Sequence, residues 1–102
     1  MIIARWQFKS RFGMKHEAIE LVKHWWETIG AEIGQEDITI LTGSVGAEEA
    51  LVTVDVRVAD MATLERQWVE LAARNDHVEF SKRLEPTIVS GSTRWEIFRV
   101  VD

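Results

Sequence analysis

From Ile2 to Lys9 the chain alternates, with Ile2, Ala4, Trp6 and Phe8 interleaved with Ile3, Arg5, Gln7 and Lys9. A period of two predicts a strand with one apolar and one largely polar face. After a turn at Ser10–Gly13 the period changes. Met14, Ala18, Leu21, Val22, Trp25, Ile29 and Ile33 fall at helical spacing, with Ile19 and Trp26 widening the stripe. Gly30 disfavours the helix by about 1 kcal/mol relative to Ala, so a bend or an end is expected there. Gly34 is the better C-cap.

Ile38–Thr42 is rich in β-branched residues and predicts a strand. The Gly-containing stretch Gly43–Glu49 predicts a hairpin connection. In Leu51–Val58 four Val alternate with Leu51, Thr53, Asp55 and Arg57. Asp60 is a good N-cap for a helix bearing Met61, Leu64, Trp68, Leu71 and Ala72 at spacings of three and four. Asn75-Asp76 interrupts that helix, and His77–Leu84 predicts a further turn or two. Pro86 should stop it and push Glu85 out of the helical region. Thr93–Val101 is the last expected strand, with Trp95, Ile97 and Val101 on one face and Glu96, Phe98 and Val100 on the other.

The resulting order is β-α-β-β-α-β over one domain, residues 1–102. This is the α+β, ferredoxin-like pattern. Right-handed crossovers put the first and third strands at the centre of a four-stranded antiparallel sheet, the fourth beside the first and the second outside the third, with the helices on one face. The first and third strands supply the apolar floor. Their other face carries Arg5, Gln7, Asp55 and Arg57, joined by Glu96 from the last strand. That mixture is too apolar for a plain wet surface and too charged for a dry core. Two readings follow: cross-strand ion pairs on a solvated or dimer-covered face, or a pocket whose ligand-binding residues are Arg5, Gln7, Asp55, Arg57 and Glu96.

Composition narrows the classes. A net charge of −5 argues against general nucleic-acid binding. The absence of Cys removes disulfides, thiolate chemistry and Cys-based zinc sites. No apolar run approaches the length of a membrane span and no export signal is visible, so a cytoplasmic location is the default expectation. Five Trp in 102 residues is unusual, and each buries on the order of 200 Å². An interaction protein with Trp25 or Trp26 exposed to a partner is one use of them. His16, Glu20 and His24 share a helix face, but the two His are two turns apart and read as surface charge, so no metal site is assigned. No cofactor is assigned either.

The run Trp68–Phe80, then Lys82–Val89 with its basic pair before Pro86-Thr87-Ile88, then Trp95–Val100, resembles the C-terminal half of NIPSNAP-like proteins. The first half resembles that group in element order only, with Arg5-Trp6-Gln7-Phe8 in place of a Tyr-rich strand. The resemblance implies the dimeric α/β-barrel superfamily and hence a homodimer. It implies little about activity, because fold alone does not fix function. The same superfamily includes cofactor-independent monooxygenases of antibiotic biosynthesis, which act on small aromatic compounds, and haem-degrading monooxygenases. The latter use an amide, a Trp and a His, and Gln7, Trp68 and His77 fall roughly where that trio would. These three are the catalytic candidates, although Trp68 also fits the core stripe of its helix. The leading expectation is a NIPSNAP-like homodimer holding a small polar or anionic ligand between sheet faces; the alternative is a monooxygenase.

Overall fold

The computed structural model describes residues 1–102. Strand β1 (Ile2–Lys9) leads into helix α1 (Lys15–Trp25), which continues as a π turn over Trp26–Gly30. Strands β2 (Ile38–Thr42) and β3 (Leu51–Val58) form the hairpin. Helices α2 (Met61–Ala72) and α3 (Asn75–Leu84) follow, then a 3-10 turn at Glu85–Thr87 and strand β4 (Arg94–Arg99). The sheet is antiparallel throughout, in the order β2-β3-β1-β4. This is the expected ferredoxin-like topology, with β1 paired on both sides.

The register explains the core. Ala4 lies opposite Val56, Trp6 opposite Val54 and Phe8 opposite Val52, so all six point to the same side. There Ala18, Val22, Ile29 and Ile33 of the first helix and Leu64 and Leu71 of α2 complete one buried cluster. At roughly 25 cal/mol per Å² of apolar surface, this floor is the main stabilising contact of the fold.

Gly34 ends the first helix as expected. At φ +92° it occupies the left-handed region where a Cβ would be strained. The Gln35 N–H then donates to the Gly30 carbonyl at 2.8 Å and the Gly34 N–H to the Ala31 carbonyl at 3.2 Å, a Schellman closure. Gly30 neither ends nor visibly breaks the helix; it lies at the end of the π turn, a geometry enriched at functional sites.

Three expectations are corrected. Asn75-Asp76 is not a separate break but the first turn of a full helix, and the interruption is the extended Arg74 (φ −99°, ψ 122°). Glu85 stays helical at φ −47°, ψ −46° despite the following proline. Pro86 disfavours that region without forbidding it, and the chain tightens into the 3-10 turn, where a missing N–H near the start costs nothing. The last strand stops at Arg99 because β1 begins opposite it at Ile2.

Candidate functional site

A cavity of about 620 Å³ opens between the helices and the β1–β4 edge of the sheet. All five Trp of the chain line it. The sheet supplies Trp6 and Trp95, directly opposite each other in the β1–β4 register with ring centroids 6.5 Å apart. The first helix supplies Trp25 and Trp26, packed edge to face at 4.3 Å. From α2 comes Trp68, edge-on to Trp95 at 5.4 Å. His77, Phe80 and Leu84 of α3 close the far wall. The helices leave β4 incompletely covered: Trp95 and Ile97 are 40% and 41% exposed, although both share the helix side with buried Ala4. The cavity mouth follows from that gap.

Besides the indole N–H groups, the polar side chains in the wall are Gln35, His77, Ser81, Glu85 and Thr93, and those of Glu85 and Thr93 have no side-chain partner. The Trp26 Nε1–H donates to Gln35 Oε1 at 3.1 Å, and Gln35 Nε2 donates to Gln67 Oε1 at 3.0 Å. This relay joins the end of the first helix to α2 and orients the Trp26 ring. The Trp25 Nε1–H donates to His77 Nδ1 at 3.1 Å. The Trp68 Nε1–H is buried without a partner. Such an orphan is costly, on the order of 1–3 kcal/mol.

His77 is placed by the α2–α3 corner. The Arg74 guanidinium pairs with Asp76 at 2.8 Å and with Glu32 at the end of the first helix, pinning the start of α3. Asp76 Oδ1 also accepts from the His77 backbone N–H at 2.9 Å. Burial pushes the His77 imidazole below its ordinary pKa; the neighbouring Arg74 charge adds to this and Asp76 opposes it. The same ion pair holds the Asp76 carboxyl below its usual range.

The trio suggested by haem-degrading enzymes is divided. Trp68 and His77 both line the cavity. Gln7 does not: its parity puts it on the other sheet face, where its amide donates to Glu96 at 2.8 Å. His77 is also held the wrong way for an iron ligand. A metal-bound His normally donates from its other ring nitrogen, whereas here that nitrogen accepts from an indole, a donor-only group.

The outer face carries the other sequence-derived site residues, largely satisfied by one another. Arg5 grips Asp55 with two bonds of 2.8 and 3.0 Å. The Asp55 hydrogen bond pushes the Arg5 pKa up, against the effect of burial. Arg94 pairs with Glu96 at 3.2 Å, and Arg57 lies 3.9 Å from Asp37. The Arg5 guanidinium also sits 5.3 Å from the Phe98 ring centre. Between these pairs lie apolar Ile3, Leu41, Leu51 and Phe98.

The exposed-Trp interaction reading is overturned. Trp25 and Trp26 are 4% and 7% exposed, because both rings turn into the cavity wall. His16, Glu20 and His24 lie on the exposed side of α1, and no group of three ligating side chains is assembled anywhere. No helix is long and apolar enough to cross a membrane. Pattern reading missed the cavity itself. The signal was present as five Trp spread over four elements, with no local motif to join them.

No family model matches the sequence, and no curated protein does. Solved structures do match in fold. A NIPSNAP family protein from Agrobacterium tumefaciens superposes with a TM-score of 0.83 at 20% identity, over 99% of this chain and 93% of that one. A NIPSNAP domain protein from Burkholderia xenovorans gives 0.80 at 16% identity, over 99% and 95%. SnoaB, a cofactor-independent oxygenase from Streptomyces nogalater, gives 0.72 at 11% identity, over 99% and 93%. The structural likeness is thus to NIPSNAP proteins and antibiotic-biosynthesis-monooxygenase-type proteins, and at these identities it is a likeness of fold.

Proposed function

We propose that this protein binds a flat, largely apolar aromatic molecule in the Trp-lined cavity, and that a second copy covers the outer sheet face. The observation that carries the ligand reading is the convergence of all five Trp on one 620 Å³ cavity. Aromatic walls favour stacked and edge-on rings, worth about 0.5–1.5 kcal/mol per pair beyond area burial, and concave, mostly apolar sites with few polar groups are the common form of small-molecule sites. The polar or anionic ligand expected from Arg5, Gln7, Asp55, Arg57 and Glu96 has less support. Arg5, Gln7, Asp55 and Glu96 are already partnered. Paired charges separated by half-exposed Leu41 and Phe98 suit a self-complementary interface instead.

The test is a titration of intrinsic Trp fluorescence with naphthalene, fluorene and anthracene. Saturable binding at one site per chain is expected, weakened at least about 10-fold by Trp95→Ala, a substitution at a half-exposed edge position. No saturable binding up to the solubility limit would remove the reading. For the second copy, sedimentation equilibrium should show a dimer at micromolar concentration that Phe98→Glu splits; a monomeric parent chain would refute it.

The second reading is cofactor-independent oxygenation of an electron-rich aromatic in the same cavity. The structural match to SnoaB favours it. Oxygen consumption with a panel of hydroquinones and anthrone-like phenols, without added cofactor, decides it, and a flat trace across the panel would retire it.

A further inference from the structure

We propose that Trp25 is a positioning residue that locks His77 as a hydrogen-bond donor, so that the cavity selects aromatic ligands carrying a carbonyl-type acceptor. This rests on the cavity-binding reading above. An indole nitrogen only donates, so the His77 Nδ1 that it meets at 3.1 Å must be bare. A neutral imidazole then carries its one proton on Nε2. A charged ring would set two N–H groups against each other across that contact.

The surroundings leave the Nε2–H unclaimed. No protein atom accepts from it, although the Nδ1 side, the backbone N–H and the backbone carbonyl of His77 are all engaged. The aromatic neighbours are Trp25, edge-on at 5.8 Å, and Phe80, stacked at 6.4 Å, and neither ring offers a lone pair. The Nε2–H is not a buried orphan, so water reaches it until a ligand covers this largely apolar wall. A ligand oxygen placed beside it gains a hydrogen bond, while an isostere without one leaves the donor poorly solvated. With Nε2 already protonated, His77 in this state also cannot take a proton from the ligand.

The discriminating probes are 9-fluorenone and fluorene, which share a three-ring plane and differ by C=O against CH2. Calorimetric titration of the full chain should show fluorenone binding roughly 5- to 10-fold tighter, the net worth of one added hydrogen bond. His77→Phe should abolish that preference, so that the ratio of fluorenone to fluorene affinity falls to about one. In protein carrying 15N-labelled histidine, long-range ring correlations should show His77 protonated at Nε2 in the parent chain and mixed in Trp25→Phe, which keeps an aromatic ring at that position but removes the donor. The tautomer measurement stands even where His77→Phe fails to fold. Equal binding of the two probes would overturn the acceptor selectivity while leaving the cavity reading intact. A proton found on Nδ1 in the parent chain would overturn the lock. Binding of neither probe would fell the cavity reading and this inference with it.

Discussion

One strand presents two different chemistries. On the helix side of β1, Ala4 and Phe8 are fully buried and Trp6 enters an aromatic cavity. On the opposite side, Arg5 and Gln7 are half-buried and satisfied by Asp55 and Glu96. The helix side has ample apolar wall and buries the Trp68 N–H without a partner, while no protein group accepts from His77 Nε2. The outer side pairs its charges, leaves the buried Thr53 hydroxyl without a partner and keeps apolar patches between the pairs. Unmet donors in an apolar concavity invite a small ligand, whereas matched charges around exposed apolar groups invite another protein surface.

Substitutions along β1 give the sharpest break. Phe8→Ala should cost about 3–5 kcal/mol, a large part of a small domain's stability, and the neighbouring Gln7→Ala under about 1 kcal/mol. Urea unfolding of the two variants checks this, and similar costs would mean that the two faces are not energetically distinct.

Gly30→Ala probes the cavity wall. An added Cβ would lie 2.8 Å from Trp26 Cδ1 and 3.1 Å from Trp25 Cζ3, so an indole must move. Overpacking of about 1–3 kcal/mol should outweigh the gain of about 1 kcal/mol in helix propensity. A lower Tm and an altered near-ultraviolet circular dichroism spectrum are expected; a stabilised protein would show that the Trp pair has slack.

Arg5→Ala sharpens the outer face. As a partly exposed pair in a monomer, Arg5–Asp55 contributes about 0–1 kcal/mol. In a desolvated interface, truncating one partner costs about 2–5 kcal/mol and should appear in the dimer dissociation constant. Comparing unfolding with dissociation separates these outcomes.

The smallest effect is on pH dependence. The His77 pKa is lowered by burial and by Arg74, against the pull of Asp76. Because its folded pKa is depressed, the unfolded chain takes up the proton first. Its contribution is fully present above the unfolded value of 6.5 and is lost as pH falls from there through the folded pKa. Chemical denaturation between pH 7.5 and 5 should show that decline, flattened in His77→Phe; identical slopes would mean that His77 titrates normally.

Much of the architecture was legible in the chain. Alternation in β1 and β3 assigned each side chain to a face, and Asp60 and Gly34 marked helix ends, because strand parity and cap geometry are local properties. Legibility failed where two weak local rules competed, as at Glu85 before Pro86. It also failed for the site. Arg5, Asp55 and Glu96 drew attention because charges on an otherwise apolar strand are conspicuous in sequence, whereas five Trp at helical or strand spacing look like ordinary core.

The sequence by itself determined the strand order, the sidedness of β1 and the surplus of indole. Only the tertiary structure decided that Trp6, Trp25, Trp26, Trp68 and Trp95 surround one space, that Gln7 is excluded from it, and that an indole sets the proton on His77. The reason is physical. Periodicity reports which way a side chain leaves its own backbone, while a cavity and a tautomer depend on how the gaps between distant elements close.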